Sequence, residues 1–269
     1  MNSWVNGRPG DAILIKDRGL NYGDGAFETM RVRQRTVRFL DYHLERLTEA
    51  CRRLEIAPPD RARLRNEISR IAALRAEGVL KLIVTRGNGA RGYRPSGRER
   101  CTRVISLHPL PRPAAGPARV RLCAMRLGIN ETLAGLKTLN RLESVLARAE
   151  WSDTRIWEGL MRDTDGNIVC GTMSNLFMRR GSRLITPQVD RCGIAGVMRR
   201  WVLGQASGLQ LIAAEGRVRW ADLTQADEVF MTNAVAGIVS IAVIQHGRET
   251  VRPAQRRTAG ELRALLEKL

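Results

Sequence analysis

The chain has 269 residues, a formal net charge of +18, 43% hydrophobic and only 4% aromatic residues. That length accommodates one large domain or two modest ones with a buried core, and the apolar content with its periodic runs excludes a disordered chain. No membrane span is expected, and because the first eight residues carry no apolar leader core, no secretory segment is expected either.

In chain order, Trp4–Arg8 reads as a short strand with an Asn6-Gly7 turn. Leu20–Gly25 reads as a loop rich in Gly and Asp. Ala26–Val32 is a strand, and a polar turn at Arg33–Arg35 leads to a second strand, Thr36–Leu40. The period then becomes helical at Leu44, Leu47, Cys51 and Leu54, with Asp41 as N-cap and Pro58-Pro59 as terminator. Leu64, Ile68, Ile71 and Leu74 mark a second helix. Val79–Thr85 is a β-branched run that reads as a buried strand. A glycine-rich loop, Arg86–Tyr93, separates it from the strand Arg103–Leu107.

The run Pro109–Ala118 reads as a linker between an N-terminal α/β domain, 1–108, and a larger C-terminal domain, 119–269. Beyond it, Arg119–Met125 is a strand, and Leu139, Leu142, Val145, Leu146 and Ala149 describe an amphipathic helix. Strands Ile156–Arg162 and Ile168–Val169 flank a Thr164–Asn167 turn, and Asn175–Met178 with Arg183–Ile185 form a hairpin pattern. Gly196–Ala206 is a helix, followed by strands Glu228–Thr232 and Ile238–Ile244. Strands and helices mix in both halves, so the fold class is α+β or mixed α/β with two domains.

The positive charge admits a nucleic-acid-binding protein. Aromatic residues are thin for base stacking, however, and the Arg residues are spread along the whole chain rather than gathered in a stripe. A polyanionic small substrate is another use for such charge. Of the 45 basic residues, four are Lys (Lys16, Lys81, Lys137 and Lys268), leaving 41 Arg. A lysine that persists where arginine is the rule is worth testing as an amine, since Lys can lose its proton and act as a nucleophile and Arg cannot. The five cysteines, Cys51, Cys101, Cys123, Cys170 and Cys192, form no C-x-x-C pair. Neither a disulfide framework nor a metal site is indicated, and a reducing cytoplasm is expected.

Lys137, in Ala134-Gly-Leu-Lys-Thr-Leu-Asn140, stands just before the helix expected near Leu139. A helix N-terminus lowers an amine's pKa, which suits Schiff-base chemistry; a surface loop lysine is the plain alternative. Gly193–Met198 runs from a glycine turn into a helix and offers backbone N–H groups to a phosphate, or is an ordinary turn. The 87–93 loop fits neither a Walker pattern nor a dinucleotide fingerprint; Arg91 and Tyr93 could contact a carboxylate, or sit at a hairpin tip. Arg46 reads as solvated on the polar side of its helix. His43, His108 and His246 read as structural.

Several segments, in order, resemble the fold-type IV pyridoxal-phosphate enzymes, the D-amino-acid-aminotransferase-like family of branched-chain and D-amino-acid aminotransferases and 4-amino-4-deoxychorismate lyases. They are Asp17-Arg-Gly-Leu-Asn-Tyr-Gly-Asp-Gly-Ala-Phe-Glu28, His43–Leu47, Leu136–Glu143, Gly171–Phe177, Thr186-Pro187, Gly193–Arg199 and Thr232-Asn-Ala234. Within that family the Lys137–Glu143 run and the Arg86–Tyr93 loop look most like the lyase branch, which eliminates pyruvate to form 4-aminobenzoate for folate. The resemblance implies a two-domain fold, pyridoxal 5'-phosphate held on Lys137 as a Schiff base, and a homodimer. It implies cofactor contacts from Arg46, Cys170, Asn175, Gly196, Val197, Met198 and Asn233. It also implies a dicarboxylate substrate near Arg91, Tyr93, Asn140 and Arg141, with a transient contact to the synthase that makes it. No nucleic acid and no membrane are expected as partners.

One position departs from the family pattern. A Glu ordinarily precedes the Gly-Thr-x-Ser-Asn-Leu-Phe run and bonds the pyridine nitrogen; here Cys170 stands there. A thiol is a weak donor and keeps the ring nitrogen protonated poorly, so the electron sink is shallower. That weakens transamination more than an elimination driven by aromatisation. An amino-acid aminotransferase on the same scaffold remains the alternative reading, and a basic nucleic-acid-binding protein the distant one.

Overall fold

The computed structural model describes residues 2–112 and 116–269. Residues 113–115 of the expected 109–118 linker lie outside the described residues. The chain divides into two compact units, Met1–Pro111 with Leu136–Asn140, and Arg112–Gly135 with Arg141–Leu269. The five residues around Lys137, expected with the C-terminal half, therefore belong to the first unit. Both units mix helices and sheet, an α+β architecture. No described helix is long and apolar enough to cross a membrane.

In the first unit, β1 (Ser3–Val5) and β2 (Arg8–Pro9) form a hairpin through Asn6 and Gly7. Both turn residues have positive φ (51° and 85°), as a primed two-residue turn requires. The loop expected over Leu20–Gly25 is instead shared out. Its first residues complete a short helix, α1 (Arg18–Tyr22), N-capped by the Asp17 carboxylate on Gly19 N–H and closed by Gly23 at φ 66°. Gly25 opens β3 (Gly25–Arg33), followed by β4 (Thr36–Val37), α2 (Leu40–Arg53), α3 (Arg61–Ala72), β5 (Glu77–Thr85) and β6 (Thr102–His108). The antiparallel sheet has the order β2-β1-β6-β5-β3-β4.

Two helix starts differ from expectation. The strand expected to reach Leu40 stops at Val37, because Phe39 takes the left-handed conformation (φ 57°) and turns the chain into α2. Asp41, expected as the cap, lies in the first turn and pairs with Arg61 and Arg65. Leu74, expected within the second helix, falls beyond α3 and is exposed. The core joins Leu44, Leu47 and Cys51 of α2 and Leu64, Ile68 and Ile71 of α3 to Met30, Val32, Leu80, Leu82 and Ile105 of the sheet, all buried. Each such aliphatic side chain contributes about 1.5–3 kcal/mol on leaving water.

The second unit begins with β7 (Ala118–Leu127) and the short α4 (Leu142–Arg148). It continues with β8 (Ile156–Asp163), β9 (Ile168–Gly171), β10 (Asn175–Arg180), β11 (Arg183–Pro187) and α5 (Val197–Gln205). A 3-10 turn leads to β12 (Ile212–Gly216), α6 (Trp220–Thr224), β13 (Glu228–Asn233), β14 (Gly237–His246), β15 (Glu249–Val251) and α7 (Arg257–Glu267). The sheet order is β12-β11-β10-β13-β14-β7-β8-β9, with β15 added on β14. Its core includes Val120, Leu122, Leu160, Ile168, Leu176, Met231 and Ile241, and Phe177 stacks on Phe230 at 5.2 Å.

The helix expected from Leu139 is shorter than its apolar pattern. Leu139 N–H donates to Gly25 O, so the chain stays extended there and α4 starts at Leu142. Leu142, Val145 and Leu146 are 76%, 59% and 56% exposed, so this stripe does not face the chain's own core. The elements β12, α6, β15 and α7 are additional to those expected.

Candidate active site

Lys137 owes its placement to main-chain pairing. Phe27 N–H donates to Lys137 O at 3.0 Å, Leu139 N–H to Gly25 O at 3.0 Å, and Ala26 bridges Thr138, so the segment lies along β3. Gly25 is required here, since a Cβ would meet Val84 O at 2.4 Å. The amine is partly buried and lies 4.2 Å from the centre of the Phe27 ring. Lys137 is therefore five residues ahead of α4 rather than at its mouth, and the helix dipole falls off before reaching it.

Strand alternation sends Glu28 to the face of β3 opposite Phe27. There it is 1% exposed. Arg46 of α2 grips it twice, Nε to Oε1 at 2.8 Å and Nη2 to Oε2 at 2.5 Å, and His43 Nδ1 lies 2.6 Å from Oε2. Burial opposes the Glu28 charge, but the Arg46 guanidinium and the bonds from His43 and Arg46 prevail and hold its carboxyl at about 2. Burial lowers the His43 pKa against the pull of Glu28, so the ring is neutral. An ionised Glu28 accepts only, so Nδ1 carries the proton and Nε2 is a buried lone pair with no hydrogen-bond partner. Arg46 is thus a half-buried, braced cation rather than a solvated one, and the spacing His43–Arg46 is what places both donors on one turn of α2 facing Glu28.

In the second unit, α5 starts at Gly196, an extended N-cap with no side-chain cap bond and no acidic residue in the first turn. The main chain at Val197 and Met198 therefore meets no anion from the chain's own first turn. Asn175, the first residue of β10, donates Nδ2–H to Ile194 O at 2.9 Å. A Cβ on Gly196 would come within 2.0 Å of Asn175 Oδ1, so only glycine permits that brace. Gly135 also ties the turn, donating to Gly193 O and accepting from Ala195 N–H. At the end of β13, Asn233 Oδ1 accepts from Val235 and Ala236 N–H at 2.9 and 2.7 Å, shaping the next turn. Thr232 beside it is fully buried, and its Oγ1 has no partner.

Cys170 is buried on β9 among Cys123, Met161, Val169 and Cys192. Burial pushes its thiol up to about 12, so it stays protonated. Glu158 on β8 is fully buried but already occupied: it accepts from Gly159, Thr172 and Met173 N–H and from the Thr172 and Ser174 hydroxyls, at 2.6–3.1 Å. Its sequence signal is only a lone acid inside an apolar strand, which pattern reading passes over. Glu28 was equally silent.

The residues expected near substrate are distributed between the units. Arg91 and Tyr93 lie exposed on the loop between β5 and β6 of the first unit, Tyr93 at 85%. Asn140 lies against Gly23, where a Cβ would approach its Oδ1 to 2.4 Å. Arg141 is the N-cap residue of α4 in the second unit. Burial lowers its pKa, opposed by Cys170 and Glu143 nearby. Among the described residues no group of His, Cys, Asp and Glu could hold a metal.

Residues 25–244 match the amino-transferase class IV family. The chain belongs to that family. It is 35% identical to an aminodeoxychorismate lyase of Vibrio harveyi over 249 residues, 90% of each chain. A crystal structure of 4-amino-4-deoxychorismate lyase from Pseudomonas aeruginosa superposes with a TM-score of 0.93 at 45% identity, covering 99% of this chain and 98% of that one. A D-alanine aminotransferase of Bacillus licheniformis is 26% identical over 87% of this chain and 83% of its own.

Proposed function

We propose that this class IV chain is a pyridoxal-phosphate-dependent lyase that converts 4-amino-4-deoxychorismate to pyruvate and 4-aminobenzoate, a folate precursor. The observation that carries this reading is likeness to two such lyases over nearly the whole chain, at higher identity than to the aminotransferase.

The residues suit the cofactor. Each unit offers features that such a group uses: in the first, a partly buried lysine amine over an aromatic face; in the second, a helix start without acid or cap. Lys137 would hold the group covalently. Gly196, Val197, Met198, Asn233 and Arg46 would serve its phosphate, with Asn175 fixing the shape of the turn and Cys170 meeting the ring. When bound, pyridoxal phosphate supplies an electron sink beside the substrate nitrogen.

Lys137 Nζ then moves the proton: it takes it from the ring carbon bearing nitrogen, and the enolpyruvyl ether bond breaks as the ring becomes aromatic. The departing oxygen group leaves as pyruvate once that proton is returned to it. Arg91, Tyr93, Asn140 and Arg141 would orient the two substrate carboxylates. A protonated Cys170 makes the sink shallow and favours this elimination over amino transfer.

A homodimer belongs to the same reading. The stripe of Leu142, Val145 and Leu146 on α4 is apolar, at helical spacing, and uncovered by its own chain. Five unpaired thiols support a reducing, cytoplasmic setting.

The test is 4-aminobenzoate release from chorismate, glutamine and an aminodeoxychorismate synthase, with the wild type and Lys137→Ala compared. Product from the wild type, reduced at least about a thousandfold in the variant, is the expected outcome. A lysine-bound cofactor absorbance without product would overturn the lyase reading and favour amino transfer, which a panel of L- and D-amino acids with 2-oxoglutarate would then reveal.

A further inference from the structure

The loop that carries Arg91 and Tyr93 is exposed, yet its backbone is bolted to a buried cation. Arg18, in α1, is 3% exposed. Its Nε donates to Asp24 Oδ2 at 2.9 Å, Nη1 to Gly92 O at 2.9 Å and Nη2 to Tyr93 O at 2.7 Å. The guanidinium also lies 4.8 Å over the Tyr22 ring. Tyr22 also grips the loop: its hydroxyl accepts from Gly92 N–H at 2.9 Å, and its ring meets that of Tyr93 edge-on at 5.5 Å. Gly89 lets the loop pass close, since a Cβ there would come within 2.8 Å of Arg18 Cδ. Asp24 is anchored in turn by Arg86 Nε at 2.7 Å, and the other Arg86 nitrogens donate to Leu54 and Glu55 carbonyls just past α2.

A turn that only joins β5 to β6 needs none of this. Burying a guanidinium costs several kcal/mol unless its charge and its donors are all met. Here the charge is met by one carboxylate, and each guanidinium nitrogen donates once, two of them to successive loop carbonyls. With the carbonyls of Gly92 and Tyr93 drawn inward, the Tyr93 side chain remains 85% exposed on a backbone that cannot drift. That combination suits presentation of side chains to a ligand and does nothing for a mobile hairpin tip. Lysine could not replace Arg18, because only a planar fork reaches both carbonyls and Asp24 at once.

We propose that Arg18 is a positioning residue for substrate recognition, holding the loop between β5 and β6 by two consecutive carbonyls so that Arg91 and Tyr93 meet a dianionic substrate in a fixed arrangement. The proposal rests on the reading above, in which Arg91 and Tyr93 contact substrate. Steady-state kinetics of the cofactor-loaded enzyme test it with Arg18→Gln, Arg91→Ala and the double variant.

Each single change is expected to raise KM about tenfold or more while kcat stays within about threefold, the signature of lost ground-state binding. The double variant should be no worse than the weaker single by more than about twofold, because both act through one loop. Arg18→Lys is expected not to restore KM, and full rescue by it would overturn the proposal. An unchanged KM in Arg18→Gln, beside a raised KM in Arg91→Ala, would also overturn it. No KM effect in Arg91→Ala would instead remove the substrate-contact reading, and the proposal with it. Should Arg18→Gln fail to fold by thermal unfolding, Gly89→Ala displaces the Arg18 stem from the loop side and must raise KM likewise.

Discussion

Two buried carboxylates, Glu28 in the first unit and Glu158 in the second, are neutralised in opposite ways. Glu28 is met by a cation and a histidine that come from a helix 15–18 residues further on. Glu158 is met by three backbone N–H groups and two hydroxyls, none of them charged. The contrast extends beyond these two residues. At Glu28 and Asp24 the first unit sets charge against charge, through Arg46 on the former and Arg18 and Arg86 on the latter, although its buried Asp17 is met by Gly19 N–H and the Thr85 hydroxyl. Around its candidate site the second unit works with main-chain shape and neutral atoms: the start of α5, the amides of Asn175 and Asn233, and the protonated Cys170. Ionic braces make a region sensitive to pH, whereas neutral cages make it sensitive to the loss of a single acceptor.

The hardest blow to that contrast falls on the neutral cage. Glu158→Ala leaves five donors unmet and is expected to cost about 4 kcal/mol in urea unfolding, since each buried unmatched group costs about 1–3 kcal/mol and some will find water. A loss below about 1 kcal/mol would mean that the Gly171–Ser174 turn holds itself. The ionic brace is expected to show in acid. The Glu28 carboxyl sits at about 2 when folded, against an ordinary 4.5, so between those values the unfolded chain binds the extra proton. Stability from this group is therefore complete above about pH 5 and lost as pH falls towards 2, up to about 3 kcal/mol. His43, whose pKa burial depresses, adds to the same acid limb as pH falls through its ordinary value. Glu28→Gln should flatten that limb, and an unchanged acid midpoint would disprove the brace.

Smaller effects sharpen the second half of the comparison. Gly196→Ala drives a Cβ into Asn175 Oδ1 and should raise the Kd for pyridoxal phosphate about tenfold, or about 1.4 kcal/mol, in an absorbance titration. Cys170→Glu places a carboxylate where this chain has a neutral thiol. Amino transfer from D-alanine should rise about threefold relative to elimination as the sink deepens, and an unchanged ratio would show that Cys170 does not tune the ring.

How much of this could be read from the amino acids depends on the range of the interaction. The Asn6-Gly7 hairpin, the strand at Val79–Thr85 and the glycine start of α5 are set by local chemistry, and each lies where its own residues placed it. Lys137 stood out by rarity in an arginine-rich chain, but its setting did not: pairing with β3, over a hundred residues upstream, keeps Leu139 out of the helix that the apolar pattern starts there. The stripe on α4 misled for a related reason, since an apolar face reads the same whether it covers its own core or is left open. Glu28 and Glu158 were invisible because their partners lie about 15 residues away with no shared period. Helix α7 did leave a trace in Ala259, Leu262 and Leu266, and its start is fixed by the buried Glu228 accepting from Thr258 and Ala259 N–H.

The strip 136–140 also has a bearing on how the chain is made. It completes the first unit, yet it is synthesised after β7, which belongs to the second. A nascent chain that has emerged only as far as Pro111 holds six strands and three helices but leaves Phe27 N–H and Gly25 O without their mates. The N-terminal unit thus cannot close when its own contiguous sequence is finished, and must wait about 30 residues more, some 2–6 s at ordinary ribosome speeds. The lysine expected to carry the cofactor arrives with the piece that ends the wait.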